Sequence, residues 1–170
     1  MTLFCTGLMT DYQKLIGHAN IQSTPTIFYV QRRSYFYTVG VPIPYEISRV
    51  NIGGAMNLAS GKFTAPTKGT YFFSWTGTAA FPPSNTTKVG LGVRLYLNGN
   101  LDANKIGSSY VSDTNTGYII HPLTLQSSIY LQQNDQVWIQ IYNADTGMTL
   151  YDSNWYYTHF TGWLLQEDFS

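Results

Sequence analysis

The segment Val89 to Leu97 constrains this chain more than any other, because Val89, Leu91, Val93, Leu95 and Leu97 alternate with Gly90, Gly92, Arg94 and Tyr96. A period of two puts the first set on one face of a β-strand and the second set on the other, which gives the strand a buried side and a wet side. Asn98-Gly99 follows as a hairpin-type turn signal. Gly69 to Ala80 alternates in the same way, with Tyr71, Phe73 and Trp75 opposite Phe72, Ser74 and Thr76, and Val137, Ile139 and Ile141 mark a third inward face. Segments of this kind bury their apolar sides by packing sheet against sheet.

Further strands are expected at Ile27 to Val30, Tyr35 to Val39, Ala55 to Leu58, Lys62 to Ala65, Gly107 to Val111, Tyr118 to Leu131 with an irregularity at Pro122, and His159 to Leu165. Turn chemistry separates them at Pro42 and Pro44, at Asn51-Ile52-Gly53-Gly54 and at Ser60-Gly61. About ten short strands with no helical crossover and no internal repeat predict an all-β protein, a two-sheet antiparallel jelly-roll sandwich. The length of 170 residues suits one such domain. We place it at 25–170, with 1–24 as an N-terminal extension or linker whose one helical hint is the spacing of Tyr12, Leu15 and Ile16 within Asp11 to His18.

Charge and cysteine content remove several function classes. Nine basic residues balance nine acidic ones and no basic run exceeds Arg32-Arg33, so the chain lacks the footprint of a nucleic-acid binder. No stretch is long and apolar enough for a membrane helix, and Met1 to Gly7 lacks the layout of a signal peptide. Cys5 is the single cysteine, which excludes an internal disulfide and any Cys-based metal framework and leaves an incidental thiol or a link to another chain. No nucleophile elbow, phosphate loop, zinc helix or dinucleotide fingerprint is present, and His18, His121 and His159 lie in separate segments, so an enzyme is not expected. The chain carries 14 Tyr, 9 Phe and 4 Trp, more rings than one sandwich interior absorbs, and this implies a second buried surface.

Asn51, Met56, Phe63, Gly69, Tyr71, Phe73 and Trp75, in that spacing, resemble the signature of the complement C1q globular domain family. The likeness continues through Val93 to Gly99, Leu131 to Trp138 and Phe160 to Leu165, so that it covers roughly residues 26–167. Asn134 stands where the family usually has glycine, and asparagine tolerates a left-handed turn better than other side chains. The resemblance implies a C1q/tumour necrosis factor-like jelly roll, a homotrimer and a secreted protein. It also implies a non-enzymatic, lectin-like recognition head binding carbohydrate, anionic or protein ligands, in innate-immune pattern recognition or adhesion. The alternative is a structural trimerising cap of a stalk or fibre, of matrix, spore-coat or phage tail type.

Calcium is the one cofactor the resemblance brings in. Asp113 is the candidate ligand, in the loop ahead of the Tyr118 to Leu131 strand, with His121 where a second family carboxylate falls; as part of Ser112-Asp113-Thr114-Asn115 it is better suited to capping its own turn. For ligand binding the candidates are Asp145, Asp152, Tyr151 and Trp155, because the stretch Asn143 to Tyr157 mixes rings with carboxylates and amides. Asn85, in Asn85-Thr86-Thr87, is the glycosylation candidate. Tyr29, Phe72 and Trp163 are the candidates for the trimer interface, as large side chains on faces opposite to the expected core.

Overall fold

The structure is a computed structural model that describes residues 25–83, 87–99, 102–114 and 117–170. The alternating segments form β1 (Ile27–Gln31), β2 (Ile47–Ile52), β3 (Met56–Asn57), β4 (Lys62–Thr64), β5 (Gly69–Phe81) and β6 (Val89–Leu97). They are followed by β7 (Lys105–Asp113), β8 (Ile119–Leu131), β9 (Gln136–Ala144), β10 (Thr149–Leu150) and β11 (His159–Glu167). One sheet has six strands, β8-β5-β11-β1-β2 with β10 continuing alongside the end of β5; the other has five, in the order β3-β4-β9-β6-β7. All strand pairings are antiparallel, as the two-sheet jelly roll requires. The extension 1–24 and its helical spacing lie outside the described residues.

Between the sheets lie the side chains whose alternation foretold them. Phe63, Tyr71, Phe73, Trp75, Leu91, Val93, Leu95, Val137, Ile139, Ile141 and Phe160 are all at most 1% exposed. Phe28 is the hinge of the ring cluster, with centroids 5.4 Å from Phe63, 6.3 Å from Phe73 and 4.9 Å from Phe160 in tilted and edge-on geometries that suit aromatic quadrupoles. Val89 and Leu97, also read as inward, are half-buried at the two ends of β6. Gly69 starts β5 where β11 bulges between Leu164 and Gln166; a Cβ there would stand 2.3 Å from the Gln166 carbonyl oxygen, so only glycine lets the two backbones approach.

The structure departs from the sequence reading at four places. Tyr35 to Val39 forms no strand: Phe36 bridges Leu150 of β10 and Val39 bridges Ile141 of β9, and single bridges to two different strands make no ladder. β2 forms where only a turn was read; its side chains are half-buried or exposed, so no clean alternation announces it. Pro122 causes no irregularity, and the β5–β8 register runs unbroken from Gly69↔Leu131 to Phe81↔Ile119. β8 is an edge strand, where a missing N–H removes no ladder bond. Asn98 does take a left-handed turn, at φ 58°, but the connection runs on through one turn of 3-10 helix at Asp102–Asn104 before β7 begins. Asn134 adopts the left-handed conformation at φ 72°.

Candidate recognition site

The loop after β10 is built around Asp152. Read from sequence as a ligand contact, Asp152 is in fact 1% exposed: Oδ1 accepts hydrogen bonds from the backbone N–H of Trp155 (3.1 Å) and Tyr156 (3.0 Å), and Oδ2 accepts from Thr158 N–H (3.0 Å). Its carboxylate is therefore taken up in folding the loop. Curling the backbone around one side chain leaves Asn154 and Tyr156 with φ of 61° and 58°, a conformation that is costly for a residue as bulky as tyrosine. The result is directional. The Tyr156 ring turns back under the Arg49 guanidinium, 5.4 Å away, and Trp155 is left 67% exposed at the tip.

Arg32 ties this loop to the segment after β1. Its N–H donates to Thr158 O (2.8 Å), and its buried guanidinium donates to Ser34 O, Pro44 O, Tyr35 O and Ser34 Oγ, with Glu46 3.4 Å away. Burial holds the arginine below its ordinary pKa while Glu46 opposes that shift, and four of the guanidinium's five N–H donors are taken up in this cage. This cage sets Tyr35 edge-on to Tyr151 at 5.2 Å, and Tyr151 also meets Tyr157 at 6.0 Å and Tyr118 at 6.3 Å. Tyr35 is 48% and Tyr118 58% exposed, so Tyr151, four residues before Trp155, is the centre of an open tyrosine surface. Partial loss of solvent, reinforced by the neighbouring phenols, pushes the Tyr118 and Tyr151 hydroxyls above their ordinary pKa, which keeps them protonated hydrogen-bond donors. Tyr35 and Tyr118 were missed by sequence reasoning; they arrive from distant segments and carry no local signal.

The other candidates fall elsewhere. Asp145 is exposed in the β9–β10 turn, where Oδ2 accepts the Gly90 N–H at 2.8 Å and pins the turn to β6. Asp113, at the end of β7, accepts from Thr114 N–H (2.7 Å) through Oδ1 and meets His121 Nε2 (2.9 Å) through Oδ2. That set does not fit calcium: it offers one carboxylate, both of whose oxygens are engaged, beside a nitrogen donor, and no group of three metal-binding side chains occurs among the described residues. Asn85 lies outside the described residues. At the opposite end of β5 two polar clefts of about 430 and 450 Å³ share Glu167 and Asp168, and Tyr130 donates a hydrogen bond to Asp168 that holds its carboxyl well below the usual range.

Tyr29, Phe72 and Trp163 come together on the outward face of the six-stranded sheet. Register aligns Ile52, Ile27, Trp163 and Phe72 in one row across β2, β1, β11 and β5, and Trp163 touches Phe72 with ring centroids 4.6 Å apart. The next row is Val50, Tyr29, Thr161, Ser74 and Gln126. An apolar row beside a polar one on an uncovered sheet is a surface suited to burial against a partner.

The fold is that of C1q domains. The C1q domain family model matches residues 27–165, and the chain belongs to that family. It is 32% identical over 129 residues to human complement C1q tumor necrosis factor-related protein 2, covering 75% of this chain and 40% of that protein. It is 29% identical over 132 residues to Caprin-2 of Danio rerio, covering 77% of this chain and 13% of that protein. The chain thus spans less than half the length of these relatives. The globular domain of zebrafish complement 1qA superposes with a TM-score of 0.62 at 17% identity, over 84% of this chain and 99% of that one, a likeness of fold.

Proposed function

We propose that this chain is a non-enzymatic extracellular recognition head that works as a homotrimer and binds carbohydrate or protein ligands through the tyrosine surface and Trp155. Members of the C1q domain family are typically trimeric recognition modules and generally not enzymes, which supports the class. The observation that carries the site is the strained, Asp152-centred loop that leaves Trp155 exposed four residues after Tyr151. Flat C–H faces stack on such rings, and protonated phenols supply the directional hydrogen bonds that select one ligand from another. Rigid aromatics with few rotatable bonds lose little entropy on contact.

A glycan array probed with the intact protein and with Trp155→Ala tests this. Selective, reproducible binding that the variant loses supports the reading; selective binding unchanged in Trp155→Ala removes the site. Absence of any selective ligand favours the alternative of a structural cap, which the apolar row of Ile52, Ile27, Trp163 and Phe72 would serve equally well. No helix among the described residues is long and apolar enough to cross a membrane.

A further inference from the structure

The outward face of the five-stranded sheet carries a second feature that the tyrosine surface does not use. Rows across β7, β6, β9 and β4 read Lys105, Tyr96, Trp138, Lys62, and next to it Ser108, Arg94, Gln140. Lys62 Nζ lies 4.5 Å from the Trp138 ring centroid, and Trp138 stacks with Tyr96. Arg94 lies flat on the Tyr142 ring, its Cζ 3.7 Å from the centroid. Tyr142 reaches this position because β9 bulges opposite Gly92 and Val93, and a bulge re-aims the side chain it carries.

Two glycines make the face flat. A Cβ at Gly92 would come within 2.4 Å of the Tyr142 ring, and one at Gly90 within 2.1 Å of the Tyr110 hydroxyl, so both rings lie along the strand in place of side chains. Glycine inside a strand costs about 1 kcal/mol, and what it yields here is a smooth aromatic tile, with Tyr110 52% exposed, around a single guanidinium. Arg94 has no carboxylate partner and no hydrogen-bond acceptor among the described residues. Its immediate neighbours Ser108, Gln140, Tyr96, Gly92 and Tyr142 are all neutral. An arginine held planar and half-desolvated, with its in-plane N–H edge unpaired, matches an oxyanion in two-pronged geometry.

We propose that this face binds an acidic polysaccharide: a sulfate or carboxylate on the Arg94 edge, an adjoining sugar ring on Tyr110, and Lys62 supplying further positive potential. The site is separate from Trp155 and stands or falls without it. The test measures binding of the intact protein to immobilised dextran sulfate and polygalacturonate, with neutral dextran as reference, at low and moderate salt, for wild type, Arg94→Gln, Tyr110→Ala and Arg49→Gln. Arg49 sits on the other sheet and serves as a charge-matched control. The expected result is binding to at least one acidic polymer and not to neutral dextran, weakened by salt. Arg94→Gln should lose about tenfold or more, as removal of a charge-assisted bond requires. Tyr110→Ala should weaken binding several-fold, and Arg49→Gln less than twofold, with melting temperatures unchanged. Dextran sulfate and polygalacturonate distinguish sulfate from carboxylate as the preferred oxyanion. Failure to bind either polymer, equal losses in Arg94→Gln and Arg49→Gln, or equal binding to neutral dextran would each overturn the proposal, whereas a Trp155→Ala variant should bind the acidic polymer as wild type does.

Discussion

Asp152 shows how one buried carboxylate shapes an exposed aromatic surface. Its three backbone acceptances hold two residues in left-handed conformations, and those conformations decide that Trp155 points out and Tyr156 points back. Asp152→Ala would leave three N–H groups in or near the interior without partners, at about 1–3 kcal/mol for the worst of them. The expected loss is about 3 kcal/mol in all, a fall in melting temperature on the order of 6–12 °C for a domain of this size, read by circular dichroism. Trp155→Ala, by contrast, removes a ring that is 67% exposed and should leave the melting temperature within about 2 °C of wild type. A Trp155 variant that melted as early as Asp152→Ala would mean that the ring packs and is not free to bind.

At the scale of elements, the pairing of β7 with β6 and of β8 with β5 brings Asp113 and His121 from different sheets to one end of the sandwich. The contact occupies the carboxylate that the family likeness offered to calcium. Millimolar calcium is accordingly expected to leave the melting temperature unchanged; a rise that Asp113→Ala abolishes would show that the metal displaces His121. The same level explains which strands were legible. β5, β6 and β9 each have one face in the core, and their residues alternate in step with it. β2 pairs β1 with no fully buried side chain, and β10 pairs β5 over only two residues, so neither shows the pattern. Pro122 was misread for a related reason: whether a proline disrupts a strand depends on which edge it faces, and only the sheet order decides that.

For the molecule as a whole, the outward face of the six-stranded sheet predicts assembly. Sedimentation equilibrium at low micromolar concentration should give a trimer, and Phe72→Glu, which puts a charge into the row shared with Trp163, should shift it towards monomer while the β-sheet circular dichroism spectrum is retained. A wild-type monomer would refute the assembly. What the sequence determined alone was the class: the period-two pattern and the aromatic spacing from Asn51 to Trp75 set two sheets and their inward residues, since alternation is a local property that each strand writes for itself. The proposed binding surfaces were only partly so determined. Tyr151 and Trp155 were visible as rings in a polar loop, but Tyr35 and Tyr118 join them, Asp152 leaves them, and Arg94 settles on Tyr142 only through contacts between segments far apart in the chain. Those contacts depend on sheet order, on a bulge and on one buried arginine, and none of these has a period that can be read along the sequence.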